Sequence, residues 1–188
     1  SIPYPMVGTT LASVRIGVVQ ATGGQTRWFA IPGDPREHYL VRMDFVPDSS
    51  RLLIQQLNRK QDSNRLWMGD IRSMSLKNVL TETNPDFVDV QNNLRWVDHD
   101  RNFIWTSERD GWRHLYRVSS DGRIVNRITT GDFDVVEVSG IDQANGYVYY
   151  IASPQNFTER HVYRSRLDGS GRPERITPAS RAGQSSLD

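Results

Sequence analysis

The sequence predicts an all-β fold, a partial β-propeller of about three four-stranded antiparallel blades plus an extra hairpin. One observation is that short apolar or alternating runs are separated throughout by Gly, Asp, Asn and Pro, which favour turns. A second is an internal repeat: Tyr-Arg, then Asp-Gly, then Arg-Ile-Thr occurs twice, with Tyr116 and Tyr163 standing 47 residues apart. Four short strands in about 45 to 50 residues are typical of one propeller blade.

Taken in order, the elements begin with a hairpin over 14–31, interpreted as part of an incomplete blade, which turns at Thr22-Gly23-Gly24. Complete blades are expected over 39–82, 94–130 and 136–177, and their strands are listed next. They are Tyr39–Phe45, Leu52–Leu57, Leu66–Ile71 and Val79–Thr81; Leu94–Val97, Asn102–Ser107, His114–Val118 and Arg127–Thr129; Val136–Ile141, Tyr147–Ala152, His161–Arg166 and Arg175–Thr177. The propeller fragment therefore covers 1–178, and the Ser- and Gly-containing stretch 179–188 is expected to be a flexible tail.

This number of blades is too small for a closed propeller, which needs at least about four. Unclosed blades leave apolar faces uncovered at both ends of the array. We therefore expect the chain to be part of a longer propeller, with self-association of the isolated chain as a second possibility.

Composition excludes several classes of function. The 23 basic and 22 acidic residues are interspersed, which argues against a nucleic-acid-binding surface. Absence of cysteine excludes disulfides, thiolate metal sites and a cysteine nucleophile. No apolar run approaches the about 18 residues of a membrane-spanning helix, and the sequence predicts no signal peptide within residues 1–188.

Residues that could carry chemistry are few, and the sequence predicts no catalytic residue, metal ligand or cofactor. Gly-x-Ser-x-Gly does not occur. The four histidines, which are His38, His99, His114 and His161, are interpreted as surface or strand-edge residues because none has a Ser and Asp partner in sequence.

Two acidic groups resemble metal sites, but the first stands where the repeat demands a hairpin turn and the second is interpreted as a loop that links two blades. They are Asp98-His99-Asp100, and Asp132 and Asp134 with Glu137. A glycosidase would need two carboxylates in one cleft, for which Glu108, Asp110 and Asp134 could be nominated, but no spacing supports them.

Aromatic side chains follow the strand pattern and are expected in the core or between blades. The tryptophans are Trp28, Trp67, Trp96, Trp105 and Trp112, and of these Trp112, beside Gly111, is the best candidate for exposure. Phe45, Trp96 and Ile141 occupy matching first-strand positions, where blade-to-blade packing is expected. Asn156-Phe157-Thr158 is a glycosylation sequon, relevant only in a secreted eukaryotic protein.

Several segments resemble one family of enzymes. The opening Ile2-Pro3-Tyr4-Pro5 with Gly8, the run Ser107–Tyr116 (SERDGWRHLY), the turn Gly131–Val135 (GDFDV) and Val148–Ile151 are similar to the propeller of dipeptidyl peptidase IV and its bacterial relatives, which are prolyl-oligopeptidase-type serine peptidases. The likeness covers about residues 1 to 178, and Gly111–Tyr116 is its most specific part.

The resemblance implies a parent serine exopeptidase that removes dipeptides when Pro or Ala is second. The propeller of that family covers a hydrolase domain and restricts access to it. The catalytic Ser, Asp and His would follow Asp188, and the glutamates that bind the substrate amine would precede Ser1, so neither set maps onto this chain. The implied partners are the hydrolase domain, the missing blades and the peptide substrate, and a periplasmic or extracellular location is implied as well.

One departure concerns the loop Phe87–Asn93, which brings basic and aromatic residues to the pocket in some members. Here it reads FVDVQNN and lacks the basic residues, so we assign no substrate-binding residue. Since propellers host many functions, a partner-binding propeller of a sensor or scaffold protein remains the alternative.

Overall fold

The computed structural model describes residues 12–92, 94–155 and 158–178, and this part of the chain forms β-strands and no helix. The strands are β1 (Gly17–Val18), β2 (Arg27–Trp28), β3 (His38–Phe45), β4 (Arg51–Asn58), β5 (Ser63–Asp70), β6 (Leu76–Thr83), β7 (Arg95–Val97), β8 (Asn102–Ser107), β9 (His114–Ser119), β10 (Ile124–Arg127), β11 (Val135–Asp142), β12 (Tyr147–Ala152), β13 (His161–Arg166) and β14 (Glu174–Arg175).

The strands form three four-stranded antiparallel sheets and one two-stranded sheet. Their orders are β3-β4-β5-β6, β7-β8-β9-β10 and β11-β12-β13-β14, and β1 pairs with β2 alone. Each four-stranded sheet is a meander in which consecutive strands are neighbours, which is the construction of a propeller blade. The predicted fold class, a partial β-propeller with three blades and an extra hairpin, is confirmed. We call the four-stranded sheets the first, second and third blades.

The fourth strand of the second blade differs from the expected Arg127–Thr129. The strand β10 ends at Arg127, but the Ile128 amide still donates to the Leu115 carbonyl at 2.8 Å. At the next position the Thr129 hydroxyl, rather than its main chain, accepts from the Leu115 amide at 3.0 Å. The ladder is thus completed by a side chain.

The described residues divide into two compact units. One contains residues 12–92, 96–103 and 118–123, and the other contains 94–95, 104–117, 124–155 and 158–178. In the first unit, Phe29, Leu52 and Ile54 form a buried hydrophobic cluster, with partly buried apolar side chains such as Ile16 and Trp67 packed against them. The hairpin β1–β2 is therefore attached to the first blade by burial of apolar surface.

The second unit has its own buried residues. Trp105 is completely buried on β8, and Tyr150 on β12 stacks on Tyr163 of β13 with ring centroids 6.1 Å apart. The Tyr150 hydroxyl lies 3.0 Å from the Ser165 hydroxyl, which gives this buried polar group a partner.

The two Asp-Gly turns of the repeat occupy equivalent places, each against the last strand of the blade before it. A Cβ atom on Gly122 would lie 1.8 Å from the Val79 carbonyl oxygen, and one on Gly169 would lie 2.3 Å from the Arg127 carbonyl oxygen. Both glycines have positive φ, 99° and 77°. Glycine is required there because no side chain fits and the left-handed conformation disfavours other residues.

Candidate functional site

The two most distinctive motifs of the sequence meet within the second unit. The Arg113 amide donates to Asp134 Oδ1 at 2.7 Å, and the Val135 amide donates to the Arg113 carbonyl at 2.8 Å. The run Ser107–Tyr116 and the turn Gly131–Val135 are therefore joined through the main chain of Arg113, which meets the Asp134 side chain and the Val135 amide. The connection orients the chain as it enters the third blade at β11.

His114 is the centre of this junction. Its Nδ1 lies 3.1 Å from the Thr129 hydroxyl, its Nε2 lies 3.0 Å from the Gly131 carbonyl oxygen, and its ring meets Phe133 edge-on at 5.6 Å. A carbonyl can only accept, so Nε2 carries the proton and Nδ1 accepts from Thr129. Burial lowers the pKa of His114 below 6.5, although the bond to Gly131 opposes that shift.

The expectation that all four histidines are surface or strand-edge residues is therefore wrong for His114, which is only 2% exposed. A signal for its role was present in the repeat. His161 stands at the equivalent position of the third blade, and its Nδ1 lies 3.3 Å from the hydroxyl of Thr177, the equivalent of Thr129. A histidine and a threonine repeated together indicate a structural pair.

The carboxylates nominated for glycoside hydrolysis have separate structural partners. Glu108 pairs with Arg113 at 3.0 Å, and Asp134 accepts from the Arg113 amide. Asp110 accepts from the Tyr116 hydroxyl at 2.5 Å and from Arg127 at 3.0 Å. The bond from Tyr116 lowers the pKa of Asp110, and burial raises the pKa of Tyr116 to about 12. An acidic pKa is opposite to what a general acid needs.

The loop that connects the first blade to β7 is held firmly to that blade; we call residues 84–92 the connecting loop. Gln55 on β4 is completely buried, and its amide makes two bonds with the main chain of Gln91, accepting from N–H at 3.1 Å and donating to the carbonyl at 2.7 Å. Arg42 donates to Asn92 Oδ1 at 3.0 Å. The Val88 amide donates to the Gln61 carbonyl at 2.8 Å.

Phe87 lies on this fixed loop with 49% of its surface exposed, while the neighbouring Val88 is buried. An exposed aromatic side chain on a loop with a defined path is preorganised for contact. Asn93, the last residue of the loop as predicted from sequence, lies outside the described residues.

A polar cavity of about 170 Å³ lies at the start of β3. Asp34, Glu37, His38 and Arg65 line it together with polar side chains of β4 and β5. Burial lowers the pKa of His38, against the opposing effect of Asp34. The mixture of acidic and basic groups indicates no single class of ligand.

The first of the two candidate metal clusters forms a turn, whereas Glu137 of the second lies on β11. Asp98, His99 and Asp100 all have positive φ, between 53° and 65°, and Asp98 accepts from the Asn102 amide group at 2.6 Å. Asp132 and Glu137 are exposed. Across residues 12–92, 94–155 and 158–178, no three His, Asp or Glu side chains converge as metal ligands. The same ranges contain no helix long and apolar enough to cross a membrane.

Two expectations about aromatic residues need correction. Trp28, not Trp112, is the exposed tryptophan, at 47%, with the Arg15 guanidinium 4.3 Å above its ring. Phe45 was expected to pack between blades but is 58% exposed, whereas Trp96 packs edge-on against Phe103 at 5.4 Å. The motif Ile2–Pro5 with Gly8, Asn156 and Phe157 of the sequon, and the tail 179–188 lie outside the described residues.

Comparison with known proteins identifies relatives of the whole chain. A family model for the dipeptidyl peptidase IV N-terminal region matches residues 1–188. "Probable dipeptidyl peptidase 4" of Emericella nidulans is 26% identical over 86% of this chain and 22% of its own length. "Probable dipeptidyl-aminopeptidase B" of Tuber melanosporum is 29% identical over 97% of this chain and 22% of its own length.

A solved structure agrees with this relationship. The crystal structure of Porphyromonas gingivalis dipeptidyl peptidase 4 matches 93% of this chain and 24% of its own chain, with a TM-score of 0.82 and 26% identity. The present chain thus spans about a fifth to a quarter of the length of these relatives. From its matching motifs, its fold and the full-length match to the family model, the chain belongs to the family of dipeptidyl peptidase IV N-terminal regions.

Proposed function

We propose that this chain is the non-catalytic propeller portion of a dipeptidyl-peptidase-IV-like serine exopeptidase, where it shapes and gates substrate access to a hydrolase domain carried elsewhere in the parent protein. Support for the peptidase comes from the relatives, whose names are those of dipeptidyl peptidases and which are about four to five times longer than this chain. The alternative, a propeller that binds a partner in a sensor or scaffold protein, is not favoured by these comparisons.

The observation that carries the gating role is the fixed connecting loop with its exposed Phe87. A gate that selects by size needs a surface of constant shape, because a loop that yields to a larger substrate does not exclude it. Gln55 holds the loop in a constant shape, because its buried side-chain amide bonds both the N–H and the carbonyl of Gln91. We call this pair of bonds the clamp. Loss of this clamp would leave main-chain groups of the loop without a partner, which favours movement.

The test uses the parent enzyme and two substrates with the same N-terminal dipeptide, one a short chromogenic amide and one a long peptide. Gln55→Leu removes the clamp while keeping a side chain of similar size. We expect the ratio of kcat/KM for the long and short substrates to change by about threefold or more, with the short substrate little affected. Phe87→Ala should shift the same ratio.

Gln56→Leu is the matched control. Gln56 is also buried on β4, but its amide donates to the Pro32 carbonyl and accepts from Trp67, away from the connecting loop. This variant should lose stability without changing the ratio. A parent protein without dipeptidyl peptidase activity would overturn the peptidase assignment, and an active parent whose ratio ignores Gln55 and Phe87 would overturn the gate alone.

A further inference from the structure

The turn between β11 and β12 carries a pair of residues with reactive chemistry. Asn145 is the one asparagine of the sequence that is followed by glycine, Gly146. In such a pair, the main-chain nitrogen of the glycine can attack the side-chain carbonyl carbon of the asparagine and close a five-membered ring. Glycine hinders this attack least, because it has no side chain beside the nitrogen. The pair therefore has a chemical capacity beyond its role as a turn.

The turn leaves space for that ring. Asn145 is exposed, and a Cβ atom placed on Gly146, whose φ is 74°, would meet no atom within 4 Å. The glycines of the two Asp-Gly turns, Gly122 and Gly169, are instead packed against main-chain carbonyls. Water and a rearranged main chain are therefore accommodated at Asn145 but not at those two turns.

Asp142, the last residue of β11, holds the Asn145 side chain. The Asn145 amide N–H donates to Asp142 Oδ1 at 3.0 Å, and Asn145 Nδ2 donates to Asp142 Oδ2 at 2.7 Å. The side-chain bond lowers the pKa of Asp142, and a bond to a charged acceptor is stronger than one between neutral groups. To meet the nitrogen of Gly146, which follows it, Asn145 must give up this bond to Asp142, which precedes it.

We propose that Asn145 is a site of covalent modification by deamidation, and that Asp142 slows the reaction by holding Asn145 Nδ2. In the first step, the Gly146 nitrogen forms a bond to Asn145 Cγ, and the bond from Cγ to Nδ2 breaks. Nδ2 leaves as ammonia with the proton that the Gly146 nitrogen loses. In the second step, one water molecule opens the ring at either carbonyl and yields aspartate or isoaspartate. Water is the only other reactant.

Either product disturbs the turn. Aspartate places a carboxylate oxygen where Nδ2 now lies 2.7 Å from Asp142, so that like charges replace a hydrogen bond. Isoaspartate lengthens the main chain before Gly146 by one methylene group. The Gly146 carbonyl accepts from the Leu167 amide at 2.9 Å, and Leu167, directly after β13, is 8% exposed. A displaced Gly146 therefore frees the Leu167 amide and loosens the turn from the end of β13.

The test follows Asn145 in the natural full-length protein, kept folded at mildly alkaline pH. Peptide mass spectrometry reports the mass gain when NH2 is exchanged for OH, and an isoaspartyl carboxyl methyltransferase with a labelled methyl donor reports isoaspartate. Asn92 is the internal comparison, because it is exposed but is not followed by glycine. We expect Asn145 to convert about tenfold faster than Asn92.

Substitutions separate the effect of the carboxylate from that of the glycine. Asp142→Ala should speed conversion of Asn145 about threefold or more, because the bond to Nδ2 no longer competes with attack. Asp48→Ala is the matched control, since Asp48 bonds Ser50 in the corresponding turn of the first blade, and it should leave the rate unchanged. Gly146→Ala should slow conversion about tenfold, since the added methyl group fits the turn but hinders the nitrogen.

Hydrogen exchange reports the consequence for the fold. In protein that has been deamidated at Asn145, the Leu167 amide should exchange about tenfold faster than in the natural protein, because its acceptor has moved. The Ile128 amide, which donates to Leu115 in the second blade, is the control and should exchange at the same rate in both.

Two comparisons decide the proposal. Conversion of Asn145 no faster than that of Asn92 would overturn the modification site. A rate that Asp142→Ala leaves unchanged or lowers would overturn the restraint. If that variant does not fold, the natural protein answers the same question, because unfolding in urea should speed conversion of Asn145 about threefold or more, and equal rates would exclude the restraint. None of these readouts depends on peptidase activity, so the inference and the proposed function fail separately.

Discussion

The second and third blades place a histidine and a threonine at equivalent positions but use the pair differently. In the second blade, His114 is enclosed, and its Nε2 donates to the Gly131 carbonyl. In the third blade, Nε2 of His161 lies 2.9 Å from the carboxylate of Glu159 at a more open site. A repeated sequence therefore fixes the geometry of the pair, while the residue beyond the imidazole decides whether Nε2 meets a main-chain carbonyl or a partly exposed carboxylate.

The Asp-Gly turns, in contrast, make the same kind of contact in both blades. Gly122 and Gly169 each touch a main-chain carbonyl of the preceding blade so closely that a methyl group cannot be placed there. Differences between the blades should therefore appear at the histidines, tyrosines and first turns, and should be small at the glycines.

The largest effect is expected from Gly122→Ala and Gly169→Ala. Each added Cβ would overlap a main-chain oxygen, of Val79 or Arg127, and neither oxygen can move without its strand. We expect each variant to lose about 3 kcal/mol or more of unfolding free energy in urea titrations. Gly146→Ala, with φ of 74° and free space around it, should lose only about 1 kcal/mol. Equal losses at all three sites would refute the contact.

Removal of the imidazole separates the two blades. His114→Ala leaves the Thr129 hydroxyl and the Gly131 carbonyl without their partner in a buried place, and should cost about 2 to 3 kcal/mol by the same measurement. His161→Ala should cost about 1 kcal/mol, because its partner Glu159 is 40% exposed and water can replace the ring there. Equal losses of unfolding free energy in the two variants would contradict the difference between the two blades.

Lowering the pH should also destabilise the folded chain through His114, but by less than removal of the imidazole ring does. The pKa of His114 is lowered in the folded state, so between that value and 6.5 the unfolded chain binds the additional proton. The stabilisation is complete above pH 6.5 and declines as the pH falls towards the folded pKa. Thermal unfolding from pH 7.5 to 5 should show this decline in the natural chain and a weaker one in His114→Gln.

The equivalent tyrosines should respond in opposite directions to loss of the hydroxyl. Tyr116 donates to Asp110, so Tyr116→Phe should cost about 1 kcal/mol. The Tyr163 hydroxyl is buried without a hydrogen-bond partner among the described residues, so Tyr163→Phe should be neutral or stabilising. A clear loss at Tyr163 would indicate a partner, such as a buried water molecule.

The smallest effect concerns the first turn of each blade. The second blade turns through Asp98, His99 and Asp100, all with positive φ, whereas the third turns at Asn145-Gly146, where glycine takes that conformation without strain. His99→Gly should raise the unfolding free energy by about 0.5 kcal/mol, since relief of strain slightly exceeds the added entropy of the unfolded chain. His99→Ala serves as the control and should give no increase.

The sequence predicted the blades well because their signals are local. Turn residues such as Asn145-Gly146 mark strand ends, and the repeat of Tyr-Arg and Asp-Gly sets the period. The environment of single side chains depends on distant segments instead. His114 becomes a core residue through Thr129 and Gly131, and Phe45 is exposed although Leu52, opposite it on β4, is buried against Phe29.

The sequence also did not predict the clamp on the connecting loop, because this contact too joins distant segments. Gln55 lies in an apolar stretch of β4, and its partner Gln91 is 36 residues away in a loop without a motif. The pattern of apolar residues predicts that a glutamine lies on a strand. It does not predict which residue's main chain the side-chain amide will bond. Only the two bonds to Gln91 identify it as the residue that fixes the loop.

The contact of Gly122 and Gly169 with a neighbouring carbonyl has a consequence for how this family diverges. A carbonyl oxygen is the same atom whatever side chain its residue carries, so the spacing between successive blades is measured from backbone to backbone. Val79 and Arg127, which supply the two oxygens, could hardly differ more in chemistry. The side chains of the outer strands can therefore change without altering this spacing. Relatives with about a quarter of their residues in common can still have closely similar structures.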